Sequence, residues 1–164
     1  MKQSFKILFF ALAISCLLFS FAKDDASSDV KDYPQANMTA EVTYSGDISS
    51  QMVYVSIAGL WDKNENDHVG KSIKLINDQT KKSDIIWNLK NAQFKDYDKY
   101  TFTSDGKVTK TMVNVSFNED RPAGLEEEKQ ITITVKIFFD GKLADEQTFN
   151  KDKLFTKSYT VNVK

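Results

Sequence analysis

From Met38 to the end of the chain, apolar side chains recur at every second position in short runs. Met38, Ala40, Val42 and Tyr44 alternate with Thr39, Glu41 and Thr43. Val53, Val55 and Ile57 form the next set, followed by Ile73 with Leu75, and by Ile85, Trp87 and Leu89. Ile131, Ile133, Val135, Ile137 and Phe139 give the longest run, and Tyr159, Val161 and Val163 the last. A period of two places one face of a strand in a core and the other in water. No long stretch holds apolar residues at i, i+3, i+4 and i+7, so helices are confined to about one turn, within 91–99.

Turn residues punctuate these runs. Ser45-Gly46-Asp47, Ser104-Asp105-Gly106 and Asp140-Gly141 interrupt the alternation, and Asp-Gly pairs signal tight hairpins. About seven to nine short strands at roughly 8–12-residue spacing predict an all-β fold, an antiparallel β-sandwich. An immunoglobulin-like sandwich is the first expectation, without the Cys…Trp…Cys signature; a jelly roll or lipocalin-like barrel is the alternative. Trp87, Phe102, Phe117 and Phe139 are the large core candidates.

The first 22 residues have a different layout. Lys2 and Lys6 precede an apolar run, Ile7 to Ala22, which ends in Ser20-Phe21-Ala22 before Lys23-Asp24-Asp25. A basic start, an apolar stretch and small residues at the exit make a cleavable secretory signal peptide, residues 1–22. The run is short against the roughly 20 residues that span a bilayer, so no membrane span is expected in the mature chain. The expected location is secreted or periplasmic. The alternative is a lipid anchor through Cys16, which follows Ala13-Ile14-Ser15. Residues 23–36, with Asp24-Asp25, Ser27-Ser28 and Pro34, read as a flexible polar lead-in; residues 37–164 read as the β-sandwich domain.

Composition then excludes several chemistries. Cleavage removes 22 of 164 residues, leaving 142, a length for one domain. The chain has 22 basic and 23 acidic residues; the leader takes two lysines and no acids, so the mature net charge is −3. That balance does not suggest nucleic acid. Arg121 is the only arginine, so a clustered arginine clamp for anions is not expected. Cys16 is the only cysteine and leaves with the leader, which removes thiol nucleophiles, thiolate metal sites and disulfides. His68 is the only histidine, which excludes a multi-histidine zinc site.

Four places carry candidate chemistry. Asp62, Asn64 and Asn66 stand at alternate positions, the oxygen-ligand spacing that opens a calcium loop. The sixth position, Asp67, lacks the required glycine, and the twelfth, Ile73, lacks the bidentate glutamate, so a polar turn is the simpler assignment. Asn118 to Glu128 crowds acids around Pro122 and Gly124; Glu119 and Asp120 would join a cation site if both loops lay at one end of the fold. Asn37-Met38-Thr39 and Asn114-Val115-Ser116 are sequons, glycan acceptors in a eukaryotic host, with Asn114 on the polar face of its strand. No Gly-x-Ser-x-Gly elbow accompanies His68, and no catalytic or cofactor-binding residue is assigned.

The sequence therefore predicts an exported, non-enzymatic sandwich that binds a protein or glycan partner through its surface. A calcium-stabilised extracellular module is the alternative, and a small carboxylate-dependent hydrolase a further one.

Overall fold

The computed structural model describes residues 31–46, 52–64, 70–118, 131–150 and 157–164. Among these, the chain forms β1 (Ala36–Gly46), β2 (Met52–Trp61), β3 (Lys71–Ile73), β4 (Leu75–Asn77), β5 (Ser83–Asp84) and β6 (Trp87–Lys90). One helical turn, α1 (Asn91–Phe94), leads to β7 (Lys99–Val108), β8 (Lys110–Asn118), β9 (Ile131–Phe139), β10 (Lys142–Asn150) and β11 (Lys157–Asn162). The strands make two sheets. One is ordered β10-β9-β1-β7-β4-β5; the other is β11-β8-β2-β3, with β6 also pairing β2. The strand pairs are antiparallel, as the alternation predicted. Two separate sheets stand where the barrel alternative would have one closed sheet.

The period-two residues make the core. Met38, Ala40 and Val42 of β1, Phe102 of β7 and Ile133, Val135 and Ile137 of β9 are fully buried. Val53, Val55 and Ile57 of β2 and Val113 and Val115 of β8 supply the other layer of the same cluster. Burying one such side chain contributes about 1.5–3 kcal/mol, so the core rests on many equivalent terms. Phe117 and Phe139 are also buried, and Trp87 packs partly buried against the cluster.

The two Asp-Gly signals have different outcomes. Asp140 and Gly141 both have positive φ, 48° and 76°, and close the β9–β10 hairpin as expected. Asp105-Gly106 is not a hairpin turn. Gly106 (φ 132°) lies inside β7, opposite a register break between Asn37 and Thr39 of β1. The glycine permits a bulge, and Ser104 accepts the Met38 N–H through its hydroxyl at 2.9 Å. The chain instead changes sheets at Thr109. Its N–H donates to the Leu60 carbonyl at 2.8 Å, and its hydroxyl accepts the Asp62 N–H at 3.1 Å.

The sandwich has one joined edge and one open edge. β5 belongs to one sheet and β6 to the other, so Ile85-Ile86 crosses between them. Ile85 is therefore exposed, contrary to the alternation that grouped it with Trp87 and Leu89. The Trp87 indole N–H donates to the Leu75 carbonyl at 2.7 Å, tying the two sheets at this edge. β10 and β11 form the opposite edge.

Candidate functional site

The two outer faces of the sandwich differ in chemistry. On the six-stranded sheet, charges pair across strands. Lys99 meets Glu41 at 2.8 Å, and Lys136 meets Glu146 at 3.3 Å. Thr134 and Thr148 share a hydrogen bond at 3.2 Å, and the Thr103 hydroxyl donates to Asp78 at 3.3 Å. These pairs give the face the mixed charge of a solvated surface.

The five-stranded sheet presents a largely neutral face without acids. Alternation turns Tyr54, Ser56 and Ala58 of β2 outward, opposite the buried Val53, Val55 and Ile57. Register brings Asn88 of β6, Ser56 of β2, Asn114 of β8 and Ser158 of β11 into one row across four strands. Tyr54 and Ser116 stand in the next row, and Ala58, Met112 and Thr160 in the row on the other side. The charged residues are two lysines, Lys90 opposite Tyr54 in that next row and Lys110 beside Leu60 at the far end. None of these residues is acidic.

Hydrogen bonding orders this row. The Asn88 side-chain carbonyl accepts both the Tyr54 hydroxyl, at 2.7 Å, and the Ser56 hydroxyl, at 2.6 Å. This fixes the exposed amide with its acceptor occupied and its two N–H donors without a partner among the described residues. Asn114 is half-buried, and its Oδ1 has no hydrogen-bond partner among the described residues. Backbone pairing locks all of these positions, so the face is a rigid array rather than a loop surface.

The predicted calcium residues fall elsewhere. Asp62 follows β2 and is buried at 6% exposure. Its Oδ2 is paired with the Lys110 ammonium at 2.5 Å. A Cβ built on Gly70 would stand 2.6 Å from its Oδ1, so a larger residue there would push that carboxylate aside. Asn64 lies two residues on, while Asn66 and His68 fall outside the described residues. Among the described residues no group of three His, Cys, Asp or Glu side chains could hold a metal ion. Calcium takes six to eight oxygens, and here the Asp62 charge is already balanced by a lysine. The described residues alone do not fit a calcium shell.

Glu119 and Asp120 also fall outside the described residues, but the start of their loop is placed. It leaves β8 at Asn118, paired with Met52, whereas Asp62 lies beside Lys110 at the other end of β8. The nine residues of β8 set these ends about 26 Å apart. The two loops thus start from opposite ends of the sandwich.

Of the sequon residues, Asn37 is exposed at the start of β1, with its amide N–H donated to Asp140 at 3.1 Å. Asn114 stands outward, as its strand pattern predicted, within the neutral row. Register, which sequence alone does not supply, is what reveals that row. Between β10 and β11 lies a cleft of about 570 Å³, lined by Phe139, Leu143 and Val161 with Lys142, Asp145 and Lys164 among others. Among the described residues no helix is long and apolar enough to cross a membrane.

No family model and no curated protein sequence matches the chain. Solved structures do resemble it. An NMR structure of the calcium-bound form of a protein from Parabacteroides distasonis is 18% identical, with TM-score 0.54, covering 84% of this chain and 99% of that one. A crystal structure of a domain of unknown function, DUF4425, from Bacteroides vulgatus is 20% identical, with TM-score 0.55, covering 81% and 98%. A DUF4425 family protein from Bacteroides ovatus is 12% identical, with TM-score 0.54, covering 78% and 95%. At these identities the likeness is one of fold.

Proposed function

We propose that this chain is an exported, non-enzymatic binding module whose contact surface is the outer face of the five-stranded sheet. The observation that carries the reading is the contrast between the two faces. One is closed upon itself by cross-strand ion pairs. The other carries no acid and holds an ordered amide whose N–H donors have no partner among the described residues. Depletion of charge with a tyrosine at the centre is a mark of contact surfaces. Export rests on the leader, residues 1–22, which lie outside the described residues. Its check is the intact mass of protein from the natural host. A mass equal to Lys23–Lys164 supports export, and retention of the leader without acylation removes it.

The test of the face uses paired variants. Immobilised protein is expected to retain a partner from the host's envelope or medium. Tyr54→Ala with Asn88→Ala should abolish retention, while Thr134→Ala with Thr148→Ala on the opposite face should leave it intact. Equal retention by both variants would place the contact elsewhere.

A second reading, a calcium-stabilised module, is favoured by the fold likeness to a protein solved in a calcium-bound form. Calcium at Asp62 would have to displace the Lys110 ammonium. The ion pair predicts that the melting temperature is the same in millimolar calcium and in EDTA. A rise with calcium that Asp62→Asn removes would establish the second reading instead.

A further inference from the structure

The row across the five-stranded sheet has a chemistry that selects among partners. We infer that this face takes a neutral oligosaccharide, laid across β6, β2 and β8; this rests on the assignment of the face as the contact surface.

Charge is the first argument. Tyr54, Ser56, Asn88, Asn114 and Ser116 carry none, and no acid is present on the face to meet a cationic partner. Two lysines flank these residues: Lys90 stands opposite Tyr54, one row from Asn88, and Lys110 beside Leu60 is already paired with Asp62. An anionic glycan or polynucleotide would find no concentrated positive field at the centre.

Hydrogen-bond character is the second. Sugar hydroxyls both donate and accept, so they match a surface of amides and hydroxyls. Asn88 offers two N–H donors, because its carbonyl is held by Tyr54 and Ser56. The Asn114 side chain in the same row is half-buried with its Oδ1 enclosed, so the donors at the surface of the row are those of Asn88. An apolar ligand would leave those donors unanswered.

Geometry is the third. Asn88, Ser56 and Asn114 are directly opposed on adjacent strands. Neighbouring strands lie about 4.8 Å apart, close to the length of one pyranose ring, so successive sugars in a chain would meet successive strands. The Tyr54 ring, oriented by its hydroxyl bond to Asn88, lies beside this row and provides an apolar surface for a sugar face.

The test is a glycan array carrying neutral and acidic glycans, probed with the mature protein and with variants shown by circular dichroism to be folded. The expected result is binding confined to neutral glycans, reduced at least tenfold by Asn88→Ala and by Tyr54→Ala and unchanged by Lys136→Ala on the opposite face. Binding to acidic glycans alone would overturn the inference, as would neutral binding that both face variants leave unchanged. An array without signal overturns it too. In that case retention of a protein partner that Tyr54→Ala with Asn88→Ala abolishes would preserve the contact face, and loss of both would end that reading as well.

Discussion

At the scale of single residues, two positions carry a cost that the fold tolerates. Thr111 is fully buried, and its hydroxyl has no partner among the described residues. Thr111→Val keeps the shape and removes the desolvated hydroxyl, so it should stabilise the domain by about 1 kcal/mol in a denaturant melt. Gly59 lies in β2 among inward-facing neighbours. A Cβ there would meet Leu75 Cδ2 and Val108 Cγ1, both at 3.1 Å. Gly59→Ala should therefore destabilise by about 1–3 kcal/mol, the range for overpacking a core, although alanine normally favours strand over glycine. A stabilised Gly59→Ala protein would show that the sheets separate freely there. Neither residue was legible from the sequence. Thr111 continues an inward face that otherwise holds Val113, Val115 and Phe117, and Gly59 looks like a turn residue until the opposite sheet is placed. The core residues themselves were legible, because Ile131 to Phe139 states its own burial pattern.

At the scale of elements, short-range patterns succeeded where one local rule acts and failed where two sheets compete for one segment. Asp140-Gly141 forms its hairpin because both residues tolerate positive φ and the flanking strands pair directly. Asp105-Gly106 presents the same dipeptide, but β1 pairs with β7 on both sides of it, so the glycine is absorbed as a bulge. Ile85 follows the same logic. Its alternation with Trp87 suggests one strand, yet β5 and β6 belong to different sheets and the isoleucine is left at the crossing. Trp87 holds that crossing through its indole hydrogen bond to Leu75. Trp87→Phe keeps most of the ring packing against Phe102, 5.5 Å away, and deletes the bond. The expected loss is about 1–2 kcal/mol in equilibrium unfolding, together with faster amide exchange in β4 through β6. Unchanged exchange there would mean that the edge is held by packing alone.

At the scale of the whole molecule, the sequence announced a sandwich and hid the neutral face on which the proposed binding rests. Strand count and alternation define two layers, but which outward residues become neighbours depends on register. Asn88 is 32 residues from Ser56 in the chain yet bonded to it. The acidic clusters that stood out in the sequence start from opposite ends of the sandwich, and Asp62 is committed to Lys110. Residues without charge, which attract no notice in a linear reading, form the face that distinguishes this molecule. The most direct measurement is photo-crosslinking in the natural host, with a benzophenone side chain placed at position 54 or at position 134. Both sites face outward from strands of opposite sheets. A discrete adduct is expected from position 54 and none from position 134. An adduct from position 134 alone, or the same adduct from both, would contradict it.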